Sequence, residues 1–316
     1  MANAKIYDAA IIGGGPAGLS AAIYCRRKLL ETLVVSMDVG GQVLITGEIE
    51  NYLGYLGRSG IELAGFFEQQ AKQFGVDIVI DEVEQVSTDS DVGGFKVKSS
   101  QGEYHAKAVI VTGGSEHRRL DVPGEEAFIG RGVSFCATCD APFARDRHVA
   151  VIGGGNTALQ SAELLARYAK KVYIIHRRAE FRADELLIDR AKKLPNIEML
   201  MDTMVTAIKG EKRVETATIK DLSADAEYEL KIDMIFVEIG KLMKLSYISN
   251  LIQTNQWGQI AVDREQKTSR PGIFAAGDIT DRKYGQAIIA AGDGAVAALS
   301  AYDYLTGKKS TYGPHE

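Results

Sequence analysis

The chain has 316 residues, 46% hydrophobic and 25% charged, enough to bury a substantial core and, at ordinary domain size, to hold two domains. Lys and Arg (37) do not outnumber Asp and Glu (42), and the net charge of -5 argues against a protein that tracks nucleic-acid phosphates. No apolar run reaches the roughly 20 residues that cross a bilayer, and the opening MANAKIYDAAIIGGG lacks a signal-peptide pattern, so a cytoplasmic location is expected.

The first element is an apolar strand from Tyr7 to Ile12, followed by Gly13-Gly-Gly15-Pro16-Ala17-Gly18 and an apolar-patterned helix. In a Gly-x-Gly-x-x-Gly turn the first glycine permits the tight turn and the second lets the backbone approach a pyrophosphate. The third lets helix and strand pack closely, and the helix N-terminus supplies free N–H groups and a positive dipole end. Cys25 lies in that helix and reads as a small buried hydrophobe. A second apolar strand, Thr32 to Ser36, ends in Ser36-Met37-Asp38, so the acidic residue expected opposite an adenine ribose is displaced or absent. The alternating stretch Phe95 to Ser99, after a polar hairpin loop over Asp89 to Gly94, predicts a β-excursion. Ala106 to Thr112, ending in Gly113-Gly114, predicts a further buried strand.

Next comes Phe135-Cys136-Ala137-Thr138-Cys139-Asp140, two thiols at the spacing of a reversible disulfide beside a carboxyl group able to move a proton. The chain's three cysteines do not make a disulfide framework. Half of a zinc site and an inert structural pair are the competing readings. Zinc would need two further ligands, yet there is no second cysteine pair, and His105, His117, His148, His176 and His315 show no paired metal-ligand spacing. No metal is therefore expected, and redox work is the favoured reading of the pair. Asp140, just ahead of Ala141-Pro142, also suits an ordinary turn residue.

About 140 residues after the first glycine turn the plan repeats: a strand His148 to Ile152, then Gly153-Gly-Gly155-Asn156-Thr157-Ala158 opening a helix, then a strand Lys171 to Ile175. Two such turns, each after a strand and before a helix, are much more specific than one. This second strand ends in His176-Arg177-Arg178, with Arg182 close behind. Guanidinium groups at that position make charge-assisted bonds to a 2′-phosphate, whereas an NAD binder would present a carboxylate to the free hydroxyl. NADP(H) is therefore preferred over the alternative of a solvated charge cluster. A β-excursion at Ala217 to Lys220, strands at Met234 to Ile239 and Gly272 to Asp278, and a small-residue helix from Gln286 to Leu299 complete the chain. The fold expected is α/β, with two Rossmann-like three-layer nucleotide-binding domains.

Taken together, these motifs resemble the low-molecular-weight thioredoxin reductases of bacteria and archaea over essentially the whole chain. The resemblance is carried by Gly13 to Gly18, Gly40-Gly41-Gln42, Glu50-Asn51-Tyr52, Cys136 to Asp140, Gly153 to Ala158, His176 to Arg182, and Ala275 to Asp278 with Gln286-Ala287. It implies a discontinuous FAD domain (1–116 and 246–316) with an NADPH domain carrying the dithiol (117–245) inserted into it. It further implies FAD held by Gly13, Gly15, Pro16, Ala17, Gly18, Ser36, Gly40, Gly41, Gln42, Asn51, Thr112, Gly113, Gly277, Asp278, Gln286 and Ala287. NADPH would be held by Gly153, Gly155, Asn156, Thr157, His176, Arg177, Arg178 and Arg182.

The same resemblance implies hydride transfer from NADPH to FAD, reduction of a Cys136–Cys139 disulfide, and exchange with thioredoxin or a similar small dithiol protein. Cys139 would face the flavin, Cys136 would attack the partner, and Asp140 would supply the proton. Because the dithiol and the second glycine turn share one domain and both must visit one flavin, rotation of that domain about connectors near 114–122 and 240–246 is expected. A homodimer is also implied.

The sequence departs from the family pattern in three places. Gly240-Lys-Leu-Met-Lys-Leu-Ser246 stands where Gly-x-x-Pro-Asn-Thr is common, Gln160-Ser161 replaces an acidic pair, and Gly285 replaces a frequent arginine. These touch the nicotinamide side and the domain connection, so NADH or another donor is an alternative. A glutaredoxin-like or peroxiredoxin-type partner is a second alternative, and a nucleotide-binding module without catalysis is the non-enzymatic one.

Overall fold

The structure is a computed structural model in which residues 5–46, 49–57 and 59–308 are described. Met1 to Ala4 of the opening segment and His315 lie outside them. The chain runs β1 (Ile6–Ile12), α1 (Pro16–Arg27), β2 (Thr32–Ser36), α2 (Gly60–Gln73), β3 (Asp77–Ile80), β4 (Val83–Asp89), β5 (Gly94–Ser99), β6 (Glu103–Val111) and β7 (Glu116–His117). It continues with β8 (Val133–Ser134), α3 (Ala137–Asp140), β9 (His148–Ile152), α4 (Asn156–Leu165), β10 (Lys171–Ile175), α5 (Glu185–Lys192), β11 (Ile197–Leu200) and β12 (Thr203–Lys209). Last come β13 (Thr216–Asp221), β14 (Ala226–Lys231), β15 (Met234–Val237), β16 (Lys241–Leu242), β17 (Ile273–Ala275) and α6 (Ala287–Thr306).

Two compact units result. The first draws on the described residues within Met1–Thr46, Tyr52–Glu116 and Leu242–Glu316, the second on those within Gly47–Asn51 and His117–Lys241. In the first unit β3-β2-β1-β6 form a parallel sheet that β5 and β4 extend antiparallel. The nine-residue β6 is long enough to serve two neighbours on one side: its first half pairs β5 and its last three residues pair β17 in parallel. One face of this sheet packs on α1 and α6 through Ile11, Val34, Ile110, Leu19 and Ala297. The other face is covered by Leu245, Ile248, Ile252 and Ile260. This accounts for the unusual segment after Gly240: Leu245 and Ile248 are apolar anchors, and Lys244 pairs with Glu116 at 2.7 Å. That ion pair is exposed and so contributes little stability.

The second unit has a five-stranded parallel sheet, β11-β10-β9-β15-β8. Its helices cover one face through Leu159, Ala162 and Leu165, while the antiparallel β12-β13-β14 sheet covers the other through Val205, Ile208 and Ile219. β15 stops at Val237 rather than at the predicted Ile239, because its partner β9 ends at Ile152 and the Glu238 amide makes the next bond, to the Ile152 carbonyl at 2.8 Å. In the first unit α6 outruns the predicted Leu299 to Thr306, since Tyr302 and Leu305 still pack on the core, and Gly307 at φ 65° then ends it.

The glycine turns differ in how tightly they close. A Cβ on Gly18 would stand 1.9 Å from the Gly13 carbonyl oxygen and 2.7 Å from Thr112 Oγ1, so α1 and β1 approach too closely for any side chain. At the matching position of the second turn Ala158 is accommodated, buried, with its Cβ 2.9 Å from where one on Gly153 would be. Gly18→Ala is therefore expected to destabilise the protein by at least about 2 kcal/mol, since backbone rather than a movable side chain blocks it. Urea unfolding measures this, and a midpoint unchanged from wild type would contradict the packing account.

Candidate active site

The dithiol sits where β8 hands over to a single helical turn. Cys136 and Cys139 are joined as a disulfide, with Cα atoms 5.3 Å apart and both residues half-buried. Cys136 is the N-cap of α3, and its Sγ accepts from the Cys139 amide at 3.2 Å. An N–H aimed at a sulfur stabilises negative charge there, so Cys136 is the sulfur better prepared to become a thiolate.

Asp140 closes the same turn. Ser134 Oγ donates to Asp140 Oδ2 at 2.6 Å, and the same hydroxyl oxygen accepts from the Cys136 amide at 3.1 Å. Ser134 is buried and links the carboxyl group to the backbone of the cysteine. Nothing in the sequence singled it out, because its role depends on bonds formed only when the turn closes. Phe135, between them, packs at a tilt against His117 with centroids 5.3 Å apart and lies under the Arg119 guanidinium.

Directly after β15 in the same unit comes Glu238, a second carboxyl group that sequence pattern did not pick out. Its one signal was a lone charge at the end of the apolar run Met234-Ile-Phe-Val-Glu238. Ser161 Oγ donates to its Oε1 at 2.8 Å. Burial pushes its pKa up to about 7, against the lowering effects of Ser161, Lys241 and the Ala137 amide. By contrast Cys25 is fully buried and its thiol is pushed up to about 12 by desolvation, so it is inert at neutral pH.

The first glycine turn brings together most of the residues implied for FAD. Gly13 has φ 113°, Thr112 Oγ1 donates to the Ile12 and Gly13 carbonyls at 3.0 and 2.9 Å, and the Gly14 amide donates to Ser36 Oγ at 2.7 Å. Ser36 therefore holds the loop itself. Gly15 is the N-cap of α1 and Pro16 begins the helix. Gly40 donates from its amide to the Gly14 carbonyl, and Gly41, at φ 56°, lies where a Cβ would be 3.3 Å from the Gly15 Cα; Gln42 beside them is exposed. Gly277, at φ 78°, packs on Ala17, whereas Gln286 caps α6, which begins at Ala287. Asp278 lies beside Gly285, where any Cβ would be 2.6 Å from its Oδ2. Asn51 is exposed and groups with the second unit rather than with these residues. Near Gly113 are two hydroxyls that no sequence pattern flagged: Ser115 Oγ and Tyr247 Oη, both buried and without a hydrogen-bond partner among the described residues. A Cβ on Gly113 would be 3.5 Å from that Tyr247 oxygen.

In the second turn Gly153 adopts φ 153° and Gly155 is the N-cap of α4. Asn156 and Asp184 exchange two hydrogen bonds at 2.9 and 2.8 Å, tying the start of α4 to the start of α5, while Thr157 is exposed. His176 behaves unlike the arginines that follow it. It is 6% exposed, packs against Gly154, stacks on Phe181 and bonds the Glu180 carbonyl through Nε2 at 3.0 Å. Burial lowers its pKa, the neighbouring guanidinium groups of Arg182, Arg178 and Arg177 add to the lowering, and the ring is neutral at pH 7. Arg177, Arg178 and Arg182 are exposed, and the Arg182 amide donates to the Gly154 carbonyl at 2.7 Å. The cationic part of the segment is therefore the arginines, and His176 supports the turn.

Residues 7–294 match the sequence profile of the family described as pyridine nucleotide-disulphide oxidoreductase. A thioredoxin reductase from Treponema pallidum is 40% identical over 301 residues, covering 95% of this chain and 97% of its own. An alkyl hydroperoxide reductase component from Staphylococcus aureus is 39% identical over 304 residues, 96% of this chain but 60% of that protein. The crystal structure of thioredoxin reductase from Streptococcus pyogenes superposes with a TM-score of 0.91 at 36% identity, covering 96% of this chain and 99% of that one.

Proposed function

This chain belongs to the pyridine nucleotide-disulphide oxidoreductase family, and we propose that it is an NADPH-dependent, FAD-containing thioredoxin-disulfide reductase. The observation that carries the reading is the Cys136–Cys139 disulfide at the mouth of a helical turn, in a chain that also has two dinucleotide-type glycine turns.

The first unit's residues fit a flavin dinucleotide. The Gly13 to Gly18 turn offers free amides at a helix N-terminus, Gly15 and Gly41 leave backbone bare, and the buried, orphaned hydroxyl of Tyr247 lies beside Gly113. Gly13, Gly15, Pro16, Gly40, Gly41, Thr112, Gly113, Asp278 and Gln286 would hold the cofactor. The second unit fits NADPH through Gly153, Gly155 and the guanidinium groups of Arg177, Arg178 and Arg182. When bound, the flavin supplies a two-electron carrier between nicotinamide and disulfide.

The chain's own residues perform the exchange. In the reduced protein the Cys136 thiolate attacks one sulfur of the partner's disulfide, displacing a partner thiolate and forming a mixed disulfide. Cys139 then attacks Cys136 Sγ, the original disulfide re-forms and the second partner thiolate leaves. Two electrons pass to the partner. Asp140, oriented by Ser134, moves the proton that the departing sulfur requires. A cytoplasmic homodimer belongs to the same reading.

The likeness to the Staphylococcus aureus protein favours one second reading, in which the partner is a dithiol protein of an alkyl hydroperoxide reductase system. Anaerobic titration of the purified protein with NADPH and with NADH tests the donor. NADPH is expected to bleach the flavin and NADH to do so much more slowly. Oxidised thioredoxin added next should restore the colour; an oxidised peroxiredoxin that does so while oxidised thioredoxin does not would replace the first reading with the second.

A further inference from the structure

We propose that Tyr247 is a further residue of the cofactor site, its hydroxyl donating a hydrogen bond to the flavin-bearing half of FAD beside Gly113. This rests on the flavoprotein reading given above and adds a residue that neither glycine turn nor any family motif supplies. Three observations within the first unit support it. The hydroxyl oxygen of Tyr247 is buried and has no hydrogen-bond partner among the described residues. A buried donor without an acceptor is costly, and native folds keep few of them. The hydroxyl is also firmly placed. Its ring packs against the apolar cluster that includes Ile12, Val111 and Ile248, and the Tyr247 carbonyl accepts from the Val86 amide at 2.7 Å. Lastly, it faces bare backbone. A Cβ on Gly113 would lie 3.5 Å from the Tyr247 oxygen and meet nothing else within 4 Å, and Gly113 is exposed. The space that a side chain would fill there is open to a ligand that also meets the hydroxyl.

The sheet order says which half of the dinucleotide Tyr247 meets. From β1 the chain proceeds outward to β2 and β3 on one side, whereas β6 lies on the other, so the order reverses between β1 and β6. A dinucleotide crosses the carboxyl ends of the strands at such a reversal, with its adenosine ribose at the end of β2. The other half then belongs over β6 and β17, the strands that Gly113 and Asp278 follow. Tyr247 is on that side, through its approach to Gly113. Burial raises the pKa of the phenol, so the group stays protonated and able to donate throughout the working pH range.

The decisive variant is Tyr247→Phe in the full-length protein, which keeps the ring and deletes only the hydroxyl. FAD release on dilution, read from the fluorescence of the free flavin, is expected to be about three- to tenfold faster than in wild type. Urea unfolding at several concentrations of added FAD gives a second readout, because a ligand that binds the folded state raises the midpoint. A given addition of FAD should raise the variant's midpoint less than that of wild type. Extrapolated to no FAD, the variant's midpoint should be equal or higher, since an orphaned hydroxyl has been removed. Unchanged FAD release overturns the proposal. So does a lower midpoint without FAD, which would show that the hydroxyl is bonded within the fold and supports structure alone. A wild-type protein that neither retains nor binds FAD would instead overturn the flavoprotein reading, an outcome seen before any variant is made.

Discussion

Replacing Cys136 with serine is expected to lower thioredoxin-linked turnover by at least roughly 10³-fold while flavin reduction by NADPH proceeds. The reason is chemical. A hydroxyl at that position is not ionised at neutral pH and cannot attack a disulfide, and the remaining Cys139 has no partner sulfur with which to re-form the bond. Cys139→Ser should be equally inactive in steady state but differ in kind. It retains the sulfur whose thiolate is supported by the backbone amide of residue 139, so it should trap a mixed disulfide with thioredoxin, visible on a non-reducing gel. If Cys136→Ser traps the partner and Cys139→Ser does not, the assignment of the two sulfurs is reversed.

The second large effect concerns the donor. Arg177 and Arg178 are exposed at the end of β10, whereas the adjoining His176 is buried, neutral and committed to Gly154 and the Glu180 carbonyl. If a 2′-phosphate is recognised here, its charge must be met by guanidinium groups. Each bond to a charged group is worth about 1.5–3 kcal/mol, so Arg177→Ala with Arg178→Ala should cut kcat/KM for NADPH by about 10²-fold or more. The value for NADH should change by no more than about twofold, since NADH lacks that phosphate. Parallel loss with both nucleotides would show that the arginines support the turn rather than read the phosphate. His176→Ala is a useful contrast, because removing a packed ring should lower stability before it alters donor preference.

Much of this architecture was legible from local pattern. The strands Thr32–Ser36, His148–Ile152 and Lys171–Ile175 appear at their expected bounds, because a fully apolar run flanked by a glycine turn has few alternatives. The β-excursions were likewise legible from alternation, at Gly94–Ser99 and Thr216–Asp221. Element ends were less so. β15 stops two residues short of the predicted Ile239 because β9 offers no further partner, and α6 is longer than predicted because the core still receives Tyr302 and Leu305. Such limits are set by neighbours remote in sequence.

The same distinction runs through the site. By itself the sequence determined the two glycine turns, the paired cysteines with their carboxyl neighbour and the run of arginines, since in each case the chemistry resides in residues adjacent along the chain. Only the tertiary structure decided that Ser134 holds Asp140, that His176 is a buried prop rather than a cation, and that the Tyr247 hydroxyl lies beside Gly113. It alone brought Glu238 and Ser161, 77 positions apart, into a hydrogen bond. The physical reason is that a hydrogen bond or a desolvated charge depends on what the fold places nearby, and no spacing within one segment encodes that.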